Sequence, residues 1–354
     1  MSAPLRAAFL DQAGHCDGLG SPFMVRLLRL LSQDWPEDTA LAEKSASFTG
    51  DIGPSGHSLP LRIASGLHAL VLQDRDAALA AVYPPHSAPD ALFGETIKQA
   101  LHTHDAFLCD WIDRPPQTNE VRRSAVLIAA AELLHARFGL PFQLSELGAS
   151  AGLNLMFDRF DLVTDPQVAP QSPVVLTPKW TDAIPTQYSR DADSGFSLPV
   201  TERRGVDLTP LNAHDPADAL RLLAYLWPDQ TERLTRTRAA IELQDAPVDK
   251  GDAIDWLQDR LQTTTDGQLH LIYHTVAWQY FPAETQARGT ALIGAAGAKA
   301  TDASPLAWLS YEADNQTPGA ALTLRLWPGD LRFDLGRADF HGRWIDWRGP
   351  AALT

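Results

Sequence analysis

Apolar residues recur at helical spacing through the first third of the chain. Met24, Leu27, Leu28 and Leu31 fall on one face behind Ser21-Pro22, a side-chain cap followed by a proline that needs no backbone donor. A turn-rich stretch at Gly50–Pro60 precedes a helical pattern over Leu61–Val82, which ends at Tyr83-Pro84-Pro85. Pro115-Pro116 closes the next segment. Leu127, Ala131, Leu134 and Phe138 mark a further amphipathic helix, stopped by Gly139. The pattern predicts a helical N-terminal region over about residues 1–120.

The period changes after Leu140. Phe142–Leu147 reads as a short strand, and Gly148-Ala149-Ser150-Ala151-Gly152 turns it into a helix from Leu153. Residues 165–204 are proline-rich without sustained periodicity, so an insertion is expected at about 160–204, with room for one hairpin. Asp215-Pro216 starts a helix reaching Trp227-Pro228, and another helix covers roughly Gln230 to Leu243. Strands Val248–Lys250 and Leu269–Tyr273 then alternate with helices Ile254–Leu261 and Glu284–Ala300. Such alternation implies a mostly parallel sheet with helices on both faces. Trp308–Tyr311, Leu322–Trp327 and Leu331–Trp347 follow with little room for helices, and His341-Gly342 is placed to turn an antiparallel C-terminal hairpin. The expected fold class is α/β, with the sheet domain over about 121–354.

Composition narrows the functional classes. A chain of 354 residues with 45% hydrophobic and 21% charged positions has the balance of a folded protein, not a disordered one. The net charge of -15 argues against binding nucleic-acid backbones, which takes a basic surface; Glu202-Arg203-Arg204 is too short to supply one. Cys16 and Cys109 form neither a disulfide framework nor a zinc spacing. His102-Thr103-His104-Asp105 falls on a predicted helix, where residues two apart diverge, so no metal is expected there. The first residues lack a signal-peptide pattern, and no apolar run reaches the roughly eighteen residues of a membrane span. A cytoplasmic protein with a small-molecule substrate and no membrane partner is the expectation.

The strongest chemical signal is Ser145-Glu146-Leu147-Gly148-Ala149-Ser150-Ala151-Gly152-Leu153-Asn154. Small residues after a strand let backbone approach a ligand, and a helix N-terminus beyond them offers unpaired N–H groups. An acid followed by a glycine-rich loop resembles the first motif of class I S-adenosylmethionine-dependent methyltransferases. That resemblance implies a Rossmann-like domain in which Glu146, Gly148, Ser150, Gly152 and Asn154 line the cofactor. It extends along the chain. Gly205–Pro210 resembles the second strand, whose terminal acid (Asp207) would hold the ribose, and Gly251-Asp252-Ala253 the place where Asp252 and Ala253 would meet the adenine. Leu269–Phe281 resembles the strand and loop facing the substrate, with His274 as candidate base and Trp278, Gln279 and Tyr280 as substrate contacts. Asp207 lies about sixty residues after Glu146, against roughly twenty in the usual arrangement, so Asp161 or Asp165 stays open as the ribose acid. The chain also resembles, nearly end to end, a bacterial family of uncharacterised proteins. Gln12-Ala13, Leu19–Phe23, Glu146–Leu155, Gly205–Pro210 and Tyr273–Tyr280 carry that likeness, and it implies a domain layout but no activity.

A rival is written in the same residues. Gly148-Ala149-Ser150-Ala151-Gly152 satisfies G-x-S-x-G, the nucleophile elbow of α/β-hydrolases, and Ser150, Asp314 and His341 complete its chain order. Against it, such enzymes place several strands before the elbow, where this chain reads as helix. A binding or structural protein without catalysis is the third reading. The tryptophans Trp278, Trp344 and Trp347 are equally at home in a core.

Overall fold

The computed structural model describes residues 1–349 except 166, 168, 182–197 and 264. The chain divides into two compact units: Met1–Thr118 with Asp215–Thr235, and Asn119–His214 with Arg236–Thr354. The first unit is helical: α1 (Ala3–Gly18), α2 (Pro22–Gln33), α3 (Ala40–Ser47), α4 (Leu59–Leu72), α5 (Ala77–Ala80), α6 (Asp90–Thr103) and α7 (Asp105–Trp111). Ser21 caps α2 as its sequence predicts, its hydroxyl accepting from the Met24 N–H. α4 is buried at every position from Leu59 to Leu70 except the half-buried Leu61, the signature of a helix enclosed by others. The helix beginning at Asp215-Pro216 also belongs to this unit, and its His68–Ala224 hydrogen bond (3.1 Å) ties it to α4.

The second unit opens with α8 (Ser124–Phe138), ended by Gly139 in a left-handed conformation. Strand β1 (Phe142–Leu147) follows over the residues the pattern assigns to it. A helix does begin at Leu153, but Leu153–Arg159 is a 3-10 helix and not an α-helix. Leu153 to Asp158 are all buried, leaving no solvent face for a regular amphipathic helix to present.

The excursion after it contains β2 (Asp161–Leu162) and β3 (Val175–Leu176), a separate two-stranded parallel pair rather than a hairpin, and β4 (Lys179–Trp180). Residues 182–197 of the expected insertion lie outside the described residues. β5 (Val200–Asp207) begins inside the range expected for the insertion. After α9 (Pro216–Ala224) and α10 (Thr231–Leu243) come β6 (Val248–Lys250), α11 (Ala253–Arg260), β7 (Leu269–Thr275) and α12 (Ala283–Gly297). The antiparallel run β8 (Leu306–Glu312), β9 (Ala320–Trp327), β10 (Leu331–Ala338) and β11 (Trp344–Trp347) closes the chain.

The main sheet has the order β4-β11-β10-β9-β8-β7-β1-β5-β6. From β6 through β8 all neighbours are parallel, and β8 to β11 are antiparallel. The mostly parallel sheet with a C-terminal antiparallel hairpin is thus present. Strand alternation puts Glu146 and its neighbour Tyr273 on one face, while Ile272, Val206, Leu306 and Trp327 pack with α11 and α12 residues on the other. No helix among the described residues is long and apolar enough to cross a membrane.

The glycines of the first loop answer to packing. Gly148 has φ +71°, and a Cβ there would lie 2.5 Å from Ala277 Cβ; one at Gly205 would lie 2.6 Å from Ala149 Cβ. Gly148→Ala therefore meets both backbone strain and overpacking, a loss of about 2–4 kcal/mol. Gly205→Ala meets overpacking alone, about 1–3 kcal/mol. Urea unfolding followed by tryptophan fluorescence checks the order; a smaller loss for Gly148→Ala would refute the strain contribution.

Candidate functional site

The carboxyl ends of β6, β5, β1 and β7 stand side by side, and the order in which strands are added reverses at β1: β5 and β6 lie to one side, β7 and β8 to the other. Ligands of open parallel sheets gather at such switch points. Almost every residue singled out in the sequence falls on this edge. Asp207 ends β5, a neighbour of β1, whereas Asp161 sits in the separate β2–β3 pair, its carboxylate accepting the Gln171 and Ser172 N–H groups. Of the possible second-strand acids, only Asp207 ends a main-sheet strand.

Most backbone donors of the loop from Gly148 to Gly152 are engaged by other groups of the protein. The N–H groups of Gly148 and Ala149 reach Val206 O (2.9 and 3.0 Å), and the Ser150 N–H donates to Asp207 Oδ2 (2.9 Å). Gly152 N–H reaches Ala149 O, and Leu153 N–H donates to Asn119 Oδ1 (2.8 Å). The loop is therefore no vacant anion cradle. The negative charge it receives is Asp207, whose other oxygen takes the Thr209 N–H (2.9 Å). Each Asp207 oxygen retains a second acceptor direction.

Side chains around the loop are less well served. Glu146 is 1% exposed, and its Oε2 has no hydrogen-bond partner among the described residues. Burial, helped by the nearby Asp207 charge and opposed by Arg123, holds its carboxyl well above the ordinary range. Ser150 Oγ and Asn154 Nδ2 are likewise buried and unpartnered. Asn154 is held by its other end, since Ser124 Oγ donates to its Oδ1 (2.7 Å) and the Tyr273 hydroxyl to its backbone oxygen (3.3 Å). Buried polar groups without partners are costly in a protein interior. On the β5–β6 side of the loop a cavity of about 390 Å³ is lined by residues including Ala151, Leu211, His214 and Gln244.

Asp252 caps α11, accepting the Ile254 and Asp255 N–H groups and pairing with Arg288 at 3.0 Å. Ala253 is buried at the first position of that helix. The Gly251 N–H reaches Asp207 O (3.0 Å), which joins this corner to the end of β5.

On the β7 side the geometry departs from expectation. His274 is buried. Trp308 Nε1–H, which can only donate, reaches His274 Nε2 (2.9 Å), so that nitrogen is bare and Nδ1–H donates to Glu312 Oε1 (2.8 Å). With both ring nitrogens occupied, His274 holds neither out to a substrate as a general base. Trp278 stacks on His274 (centroids 4.8 Å apart) and packs in the core beside α12. Gln279 Oε1 accepts the Ala313 N–H. Of the three expected substrate contacts, only Tyr280 presents an exposed ring.

Ser150 has φ +55°, a left-handed serine such as a nucleophile elbow also requires. Its hydroxyl, however, lies within hydrogen-bond reach of no described histidine, and both Asp314 oxygens are held by Arg337. Ser150, Asp314 and His341 are not assembled as a triad. Nor do any three His, Cys, Asp or Glu side chains among the described residues form a metal-binding group.

Sequence reading missed Asn119, Arg123, Ser124 and Glu312. Arg123 donates to Thr275 O and Phe340 O (both 2.9 Å), crossing the end of β7. Glu312 was open to the rule that identified Glu146 and Asp207, because it too is an acid ending a parallel strand.

The molecule is thus a mixed α/β protein with a polar, partly unsatisfied site at the carboxyl edge of its parallel strands. It belongs to the family described as uncharacterized protein conserved in bacteria (DUF2332), whose sequence profile matches residues 6–347. No curated protein and no solved structure matches the chain.

Glu146 generates a prediction about pH. Its ordinary carboxyl pKa is 4.5 and its folded value is higher, so above about pH 4.5 the unfolded chain releases a proton that the folded chain keeps. Stability then falls as pH rises, by about 1.4 kcal/mol per pH unit until the folded pKa is passed. Glu146→Gln should abolish this slope and be the more stable form at neutral pH. Denaturation midpoints of the two proteins running parallel from about pH 5 to about pH 8 would contradict the assignment.

Proposed function

We propose that the chain binds S-adenosylmethionine at this edge and transfers its methyl group to a small-molecule acceptor. The observation that carries the reading is the buried, unpartnered Glu146 carboxyl at the end of β1, beside the Ser150 and Asn154 orphans. The strand order β6-β5-β1-β7-β8 supports it, being the 3-2-1-4-5 order of Rossmann-like sheets. So does the sequence of strand-end acids Glu146, Asp207 and Asp252, in the chain order the methyltransferase resemblance implies.

The residues fit such a cofactor. Glu146, Ser150 and Asn154 offer both acceptors and donors to an aminoacyl group, Asp207 keeps acceptor capacity for ribose hydroxyls, and Asp252-Ala253 lies next along the edge. When bound, the cofactor supplies an electrophilic sulfonium methyl. The chain's contribution is alignment and exclusion of water, for which a strong base is not required. This suits a His274 whose nitrogens are engaged elsewhere. The short 3-10 turn after the loop is a departure from the Rossmann pattern, and it moves ligand recognition from helix N–H groups to side chains.

Two measurements test the reading. Calorimetry with S-adenosylhomocysteine should give binding that Glu146→Gln weakens roughly tenfold, about 1.4 kcal/mol, even as the same change stabilises the free protein. Absence of heat at high ligand concentration would sink the proposal. Fluorophosphonate probes should leave Ser150 unlabelled, and Ser150→Ala should lower cofactor affinity by about 1 kcal/mol. Rapid labelling lost in Ser150→Ala would instead establish the hydrolase.

A further inference from the structure

Glu312 does more at this edge than any residue the sequence draws attention to. It is 7% exposed, at the end of β8, and its carboxylate collects four donors. Oε1 accepts from His274 Nδ1 (2.8 Å), the Ala277 N–H (3.0 Å) and the Trp278 N–H (3.1 Å), and Oε2 accepts from the Gln279 N–H (3.2 Å). Three successive amides turned toward one point form a nest, the arrangement that captures anions, and here the anion is internal. Burial alone would raise the Glu312 pKa. The bonds from His274, Ala277 and Gln279 outweigh it and hold the carboxyl below its ordinary value.

The segment so held is strained. Val276 has φ +54°, a conformation costly for a β-branched residue, with its N–H fixed to Tyr311 O (2.8 Å). Ala277, the next residue, is the one against which Gly148 packs. Beyond it, Trp278 is locked on His274, and Gln279 returns a bond to Ala313. Tyr280 emerges 74% exposed from a segment whose amides are all bonded. Rigid backbone carrying an exposed aromatic side chain beside a ligand edge is the economy of a preformed wall.

We propose that Glu312 is a positioning residue: by gathering the Ala277, Trp278 and Gln279 amides it sets the wall at residues 276–280, and through that wall the affinity of the edge for its ligand. The inference rests on the reading that a ligand binds at this edge, but its first test needs no ligand. In the full-length protein, Glu312→Gln should speed hydrogen exchange at Ala277, Trp278 and Gln279 by at least about tenfold, leaving β7 and β8 amides such as Leu271 and Leu309 unchanged. With S-adenosylhomocysteine as probe, the same variant should bind at least about tenfold more weakly at a nearly unchanged denaturation midpoint. A merely structural residue would move the midpoint and exchange across both strands while leaving affinity intact, and that result would overturn the proposal. So would unaltered exchange at residues 277–279. If the wild-type protein binds no S-adenosylhomocysteine, the cofactor reading falls, and the exchange measurement alone decides the role of Glu312. Should Glu312→Gln fail to fold, His274→Asn removes one of the four bonds and keeps the carboxylate. A smaller local acceleration at the same three amides supports the proposal, and none overturns it.

Discussion

At the carboxyl end of β1 four stretches of backbone meet with no space for an extra methyl group. Gly148 abuts Ala277 from the end of β7, Gly205 of β5 abuts Ala149, and Gly152 abuts Val248 of β6. Parallel register brings these ends level, so the loop between Gly148 and Gly152 must lie flat between two neighbours and turn in left-handed conformations. The amides of Gly148, Ala149 and Ser150 are engaged by Val206 and Asp207, and that of Gly152 by Ala149. What the loop offers a ligand is consequently the side chains it carries and the strand ends it holds apart.

Three acids end the parallel strands β1, β5 and β8 or lie next to those ends, and their surroundings differ. Asp207 and Glu312 each accept backbone N–H groups, which turns each carboxylate into a fastening for a loop. Glu146 has no such donors, and burial drives it toward the neutral acid. The two satisfied acids shape the edge. Glu146 is the one whose buried oxygen has no partner among the described residues, which is why the functional reading hangs on it.

His274 illustrates how neighbours decide the role of a residue. On a strand end facing the ligand edge, an imidazole suits proton transfer. Trp308 arrives from β8 with a donor-only indole and Glu312 with a carboxylate, and together they fix the tautomer and occupy both nitrogens. Neither partner is near His274 in sequence. The same holds for Ser150: a serine at the centre of G-x-S-x-G becomes a nucleophile only if a distant histidine is brought to it, and none of the described ones is.

Periodicity by itself determined the helical character of the first part of the chain, the strand Phe142–Leu147, the parallel alternation from Val248 to Ala300 and the antiparallel finish, because each follows from which side of an element is buried. The resemblance to methyltransferases marked Glu146, Asp207 and Asp252, with Asp161 and Asp165 left open beside Asp207. Tertiary structure decided the rest. The stretch after Gly152 became a 3-10 turn because it is enclosed on all sides, and β5 took its place beside β1 although an excursion carrying β4 to the far edge of the sheet separates them in sequence. Which acids are bonded, which is left wanting, and whether a histidine has a free nitrogen depend on groups tens of residues apart meeting at a few ångströms. Local pattern carries no record of such meetings.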